Sequence, residues 1–149
     1  MSAHPSPNRI GPGVQFGITE AMIARLVHAF YANIRNDSVL GPIFEHAIGE
    51  DWNPHLAKMC DFWSSVVLMS GRYKGTPRAV HAALEDLQGE MRSAHFARWL
   101  DLFRETAGVL CSPGAAALFI NRAEMIAQSL QLGIAVARGE IPNRPSAAG

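Results

Sequence analysis

The sequence predicts an all-α protein. Apolar residues recur at helical spacing almost throughout. A capping residue followed by proline marks a helix start at Asn53-Pro54, at Thr76-Pro77 and at Ser112-Pro113. No alternating, β-branched segment of useful length interrupts this pattern.

The first helix is expected over 19–36. Ile23, Leu26, Val27, Phe30, Tyr31 and Ile34 step by three, one, three, one and three, which draws one stripe, and Thr19 is the N-cap. In "NDSVLGPIFEHAIG", Gly41-Pro42 breaks any long helix, so one or two short turns carrying Phe44 and Ile48 are expected. The next helix, 54–70, has Asn53 as cap and Gly71 as stop. Its inward face reads His55, Met59, Phe62, Trp63 and Val66. "YKGTPRAVHAAL" then places a glycine turn before a short helix with Val80, His81 and Leu84. Ser93 is expected to cap a helix over 93–110 whose stripe is Phe96, Trp99, Leu100, Phe103, Ala107 and Leu110. The last helix, 113–137, carries Leu118, Arg122, Met125, Ile126 and Ile134. The domain is expected over 19–137, between a loose, Pro- and Gly-rich N-terminal extension (1–18) and a C-terminal tail (138–149) of the same character.

Bulk properties narrow the function. The chain has 149 residues, within the usual range of one domain, and 48% of them are hydrophobic, enough for an ordinary core. Lys and Arg total 13, as do Asp and Glu, so no field of one sign argues for nucleic acid. No apolar run reaches the roughly 20 residues of a membrane span, and the N-terminus lacks the apolar segment of a secretory signal. Cys60 and Cys111 form no C-x-x-C pair, which excludes a cysteine-rich zinc module and covalent haem attachment. A reducing cytoplasm is the expected setting.

Four polar side chains fall on faces that should be buried: Tyr31, His55, His81 and Trp99. Each alone reads as core packing with its polar tip satisfied. Together they suggest a cavity with polar or metallic content. Two histidines without nearby Cys, Asp or Glu make a poor zinc cage, which wants three or four ligands. One histidine is enough for iron held in a porphyrin, and an apolar slot suits the macrocycle's flat faces. Phe44, Met59, Phe62, Trp63 and Phe96 would line that slot, with His81 as axial ligand.

Over about 19–137 the chain resembles the group III truncated haemoglobins, bacterial globins built as a two-over-two helical sandwich. The resemblance rests on "FY" in the first helix, "LGPIF" after it, "FW", "Y-x-G-x-P" before a histidine, and "F-x-x-W-L". It implies His81 as the proximal iron ligand, Tyr31 and Trp99 as distal hydrogen-bond donors, and His55 at the distal gate. It implies Phe44 against the haem, Met59 and Phe62 in the distal wall, and Lys58 and Arg78 near the propionates. Residues up to about Gly17 have no counterpart in it.

The resemblance also implies non-covalent haem b, and dioxygen, nitric oxide or carbon monoxide as ligands. Nitric oxide dioxygenase or peroxidase-like turnover, with an electron donor that the sequence does not identify, follows from the same resemblance. Two other classes stay open. One is a haem-free helical module for an apolar ligand or a partner helix. The other is a gas sensor, which usually needs an output domain.

Overall fold

The computed structural model describes residues 11–73, 91–137 and 139, and among them are five α-helices and no strand. The first, α1 (Glu20–Asn36), forms as its stripe requires. Thr19 Oγ1 accepts from the Met22 N–H at 3.2 Å, and the six expected residues Ile23, Leu26, Val27, Phe30, Tyr31 and Ile34 are all buried. The expected turns after it are instead a nine-residue helix, α2 (Leu40–Ile48), with Gly41-Pro42 in its first turn. Proline is tolerated there because its missing N–H would have no intrahelical partner. Glycine is required: a Cβ on Gly41 would lie 2.7 Å from the Arg35 carbonyl oxygen.

The cap of α2 is Asp37. Its Oδ2 accepts from the N–H groups of Val39 (3.1 Å) and Leu40 (2.9 Å), while Oδ1 accepts from Nε (2.8 Å) and an Nη (2.6 Å) of Arg98. One buried carboxylate thus ties the α1–α2 corner to the helix that carries Arg98.

α3 (Asn53–Leu68) begins with proline in its first turn, but Asn53 does not cap it. The carboxylate of Asp51 instead accepts from the Asn53 N–H at 3.2 Å. The helix stops before Gly71, at Met69, whose φ of 54° is left-handed. Trp63, Ser64 and Val67 form its fully buried face, whereas His55, Met59, Phe62 and Val66 are half-buried. α4 (Ser93–Leu110) has its cap at Arg92, whose N–H donates to His95 Nδ1 at 2.8 Å, so Ser93 is inside the helix. α5 (Pro113–Ala137) starts as expected, with Ser112 Oγ accepting from the Ala115 N–H at 3.4 Å. On its inner face Ala115, Ala116, Phe119, Ala123, Ala127 and Leu130 meet the core, while Met125 faces solvent.

The layers follow from these faces. α1 packs on α3, α4 packs on α5, and the two pairs stack with α1 against α4 and α3 against α5. Aromatic rings fill the centre. Trp63 stacks on Phe103 (5.3 Å, 18°) and meets Phe119 edge-on (5.6 Å), and Phe103 also stacks on Trp99 (5.9 Å, 16°). A side-chain bond from Asn33 Nδ2 to Thr106 Oγ1 (2.9 Å) fixes α1 against α4.

Residues 11–18, read as loose from composition, are held to the body. The Gly13 N–H donates to the Val67 carbonyl at 2.7 Å, and Ile18 is buried. Gly11 lies so close to Leu68 that a Cβ there would be 2.3 Å from its carbonyl carbon. The same end of α3 carries a polar network. Ser64 Oγ donates to Glu20 Oε2 (2.6 Å) and pairs with Ser70 Oγ (2.6 Å), and Arg72 Nε donates to the same Glu20 oxygen (3.1 Å). No helix among the described residues is long and apolar enough to cross a membrane.

Asp37→Ala should cost about 1 kcal/mol, the usual value of a side-chain cap, and lower Tm by about 4 °C in thermal unfolding. The hydrogen bonds and charge of Arg98 hold the Asp37 carboxyl below its ordinary range. Its contribution is therefore full above about pH 4, the unfolded value, and is lost as pH falls through the lower folded value. The difference between wild type and Asp37→Ala should shrink on acidification over that window.

Candidate functional site

Tyr31 stands at the meeting point of α1, α2 and the start of α3. Its ring is edge-on to His55 (5.0 Å, 86°), Trp52 (6.1 Å, 65°) and Phe44 (6.3 Å, 64°). Trp52 and His55 are also perpendicular to each other, at 6.4 Å and 82°. Each element delivers its residue by register. Tyr31 is four positions after Val27 on the buried stripe, Phe44 is on the inner side of α2, and Trp52 and His55 are three apart across the opening turn of α3.

The polar atoms of this cluster are unusual. Trp52 Nε1 and His55 Nε2 are the buried side-chain nitrogens or oxygens without a hydrogen-bond partner among the described residues. Such groups ordinarily find a partner, and leaving one unpaired costs about 1–3 kcal/mol. Burial, with a smaller contribution from the Lys58 charge, holds the His55 imidazole below its usual pKa. It is therefore neutral at neutral pH. Burial alone pushes the Tyr31 hydroxyl up, so it stays a protonated donor. On the outer side, Arg35 lies 4.6 Å over the Trp52 ring while its Nε donates to Glu45 at 2.9 Å.

Phe30 joins this cluster to α4. It is edge-on to Tyr31 (5.2 Å), Trp99 (5.4 Å) and Phe103 (5.0 Å), so Tyr31 and Trp99 flank one ring. Trp99 is half-buried and Phe96 buried on α4. Met59 and Phe62 continue from His55 along the half-buried face of α3, where Phe62 meets Tyr73 edge-on at 5.5 Å. Lys58 is exposed. Trp63, expected in the cofactor slot, stacks on Phe103 and meets Phe119 edge-on, because its place on α3 turns it toward α4 and α5. His81 and Arg78 lie outside the described residues. Among the described residues no three of His, Cys, Asp and Glu converge as a metal cluster.

Trp52 was not among the expected site residues. A signal was available, since it precedes His55 by three positions and so shares its helix face.

No family model matches the chain. A curated relative does: the group 3 truncated hemoglobin ctb of Campylobacter jejuni is 37% identical over 117 residues, spanning 76% of this chain and 89% of the relative. The chain belongs to the group 3 truncated haemoglobins. A crystal structure of the group III truncated hemoglobin from Campylobacter jejuni matches this truncated haemoglobin with a TM-score of 0.68 at 33% identity, over 78% of this chain and 91% of that one. The paired layers of α1/α3 and α4/α5 are thus the globin-like two-over-two sandwich of a truncated haemoglobin.

His55 makes the stability of this truncated haemoglobin depend on pH. Its folded pKa lies below the unfolded value of about 6.5, so the unfolded chain takes the proton more readily. Stability should be full above about pH 6.5 and decline as pH falls toward the folded value. Urea denaturation at stepped pH should show this decline, and His55→Gln should remove that component.

Proposed function

We propose that the chain binds non-covalent haem b and holds dioxygen, nitric oxide or carbon monoxide at its iron. The observation that carries this reading is the 37% identity to a group 3 truncated hemoglobin, joined to the buried Tyr31 and the half-buried Trp99 that flank the Phe30 ring. The half-buried apolar face of α3 through Met59, Phe62 and Val66 suits a flat macrocycle beside it. Phe44 and Phe96 add apolar lining, and Lys58 and Arg78 are the cations for the propionates. His81 would hold the haem iron, on the resemblance of its Y-x-G-x-P context. Cys60 and Cys111 are free thiols, in keeping with a reducing cytoplasm and with haem held without thioether bonds.

Haem supplies an iron with one position open to a diatomic ligand and a redox state that can change. The protein supplies the surroundings. The Tyr31 hydroxyl and the Trp99 indole N–H donate to the ligand's outer atom. Two such bonds are worth about 2–3 kcal/mol together, which slows escape about a hundredfold. Tyr31 serves reliably as a donor because burial keeps it protonated. His55, neutral and at the edge of the cluster, gates entry. Retention of this strength suits redox chemistry on the ligand better than its delivery. We read the activity as nitric oxide dioxygenase or peroxidase-like turnover, with a separate electron donor.

Purified protein supplied with haem should show a Soret band, and the reduced protein should shift it on adding carbon monoxide. His81→Ala should lose most haem uptake; unchanged uptake and axial spectra in that variant would refute the assignment. In stopped-flow measurements, Tyr31→Phe should speed dioxygen dissociation by about tenfold or more. An unchanged rate would remove Tyr31 from the donor role.

A further inference from the structure

Trp52 has no part in the mechanism above, although its side chain is among the most constrained in the cluster. Its exposure is 4%, yet its indole N–H has no partner among the described residues. The ring cannot easily turn to find one, because it is held on several sides. Arg35 covers it at 4.6 Å, Glu45 fixes Arg35 at 2.9 Å, and Tyr31 and His55 stand edge-on to it. The second orphan is the Nε2 of His55, on the ring next to it. The two are chemically complementary. An indole N–H can only donate, whereas a neutral imidazole carries one nitrogen that only accepts. Their rings lie 6.4 Å apart and nearly perpendicular, and no direct bond joins the two nitrogens, so a small molecule that both accepts and donates is what would complete them.

We propose that Trp52 Nε1 and His55 Nε2 form a binding site for a single water molecule, which accepts from the indole and donates to the imidazole. The bridge fixes the His55 tautomer, with the proton on Nδ1 and the lone pair of Nε2 turned inward. Trp52 is then a positioning residue for the gate. It holds His55 inside as an acceptor, leaving Tyr31 and Trp99 as the donors to any ligand. The ionisable groups around His55 are Lys58 on its own helix and Tyr31 from α1, with the Arg35–Glu45 pair behind Trp52. The consequence for gating rests on the haem reading. The bridge and the tautomer do not.

The test is nitrogen NMR of labelled histidine across a pH series, on the protein as purified and on its reduced carbonmonoxy form, with Trp52→Phe as the variant. Phe keeps the ring and removes only the N–H. In wild type, Nε2 of neutral His55 should resonate as an unprotonated acceptor nitrogen. In Trp52→Phe the bridge loses its donor, and the His55 protonation equilibrium should shift toward the charged form by roughly three- to tenfold, the worth of one hydrogen bond. In the carbonmonoxy form, ligand entry should also become faster as His55 leaves its place. A wild-type Nε2 carrying the proton overturns the proposal, even if the variant fails to fold. So does a folded variant with His55 titrating as in wild type. Failure of the haem reading is separate, because it appears as a missing Soret band while the His55 resonances can still be recorded.

Discussion

The edge of Phe30 against Phe103 and Trp99 is the contact on which the site depends. It lies where α1 crosses α4, and the stack of Trp63, Phe103 and Trp99 continues from it toward α3 and α5. Aromatic pairs in these orientations add about 0.5–1.5 kcal/mol each beyond the area they bury. Their geometric effect matters more here. Tyr31 is the next residue after Phe30, and Trp99 touches the same ring, so the crossing sets the spacing of the two groups assigned as donors. Asn33–Thr106 and Asp37–Arg98 hold the same two helices from either end of that contact.

Buried polar groups divide into two kinds. Asp37, Ser64 and Thr106 are all buried and all paired, with backbone N–H groups, a carboxylate and a carbonyl respectively. They serve the architecture: a helix cap, a brace at the end of α3, and a lock within α4. Trp52 and His55 are unpaired, and they sit side by side. Among the described residues, these are the buried polar side chains left for a guest to complete.

Much of this was legible in the residues. The stripe of α1 was read position by position, since a fully apolar face with a Thr cap leaves one solution. α2 was not, because Gly41-Pro42 reads as a breaker until the Asp37 side chain is known to reach forward and cap the turn. The inner face of α5 is not marked by the residues either, for a related reason. Large apolar residues draw the eye, but the buried row there is mainly alanine, chosen by the closeness of α4. Trp63 was placed in the slot because it shares a stripe with Phe62, and a rotation of one residue along α3 separates core from pocket. The resemblance, resting on five short motifs, reached the family that periodicity alone left open.

The alanine row of α5 also shapes how this lineage can vary. Ala115, Ala116, Ala123 and Ala127 are at most 7% exposed, so any larger side chain there must push two helices apart. Neutral drift is confined to the outer half of α5, and change along the inner half has to arrive in compensating pairs. The long α5 helix thus becomes a slow clock in the sequence: its inner face should diverge late, long after its solvent side has been rewritten.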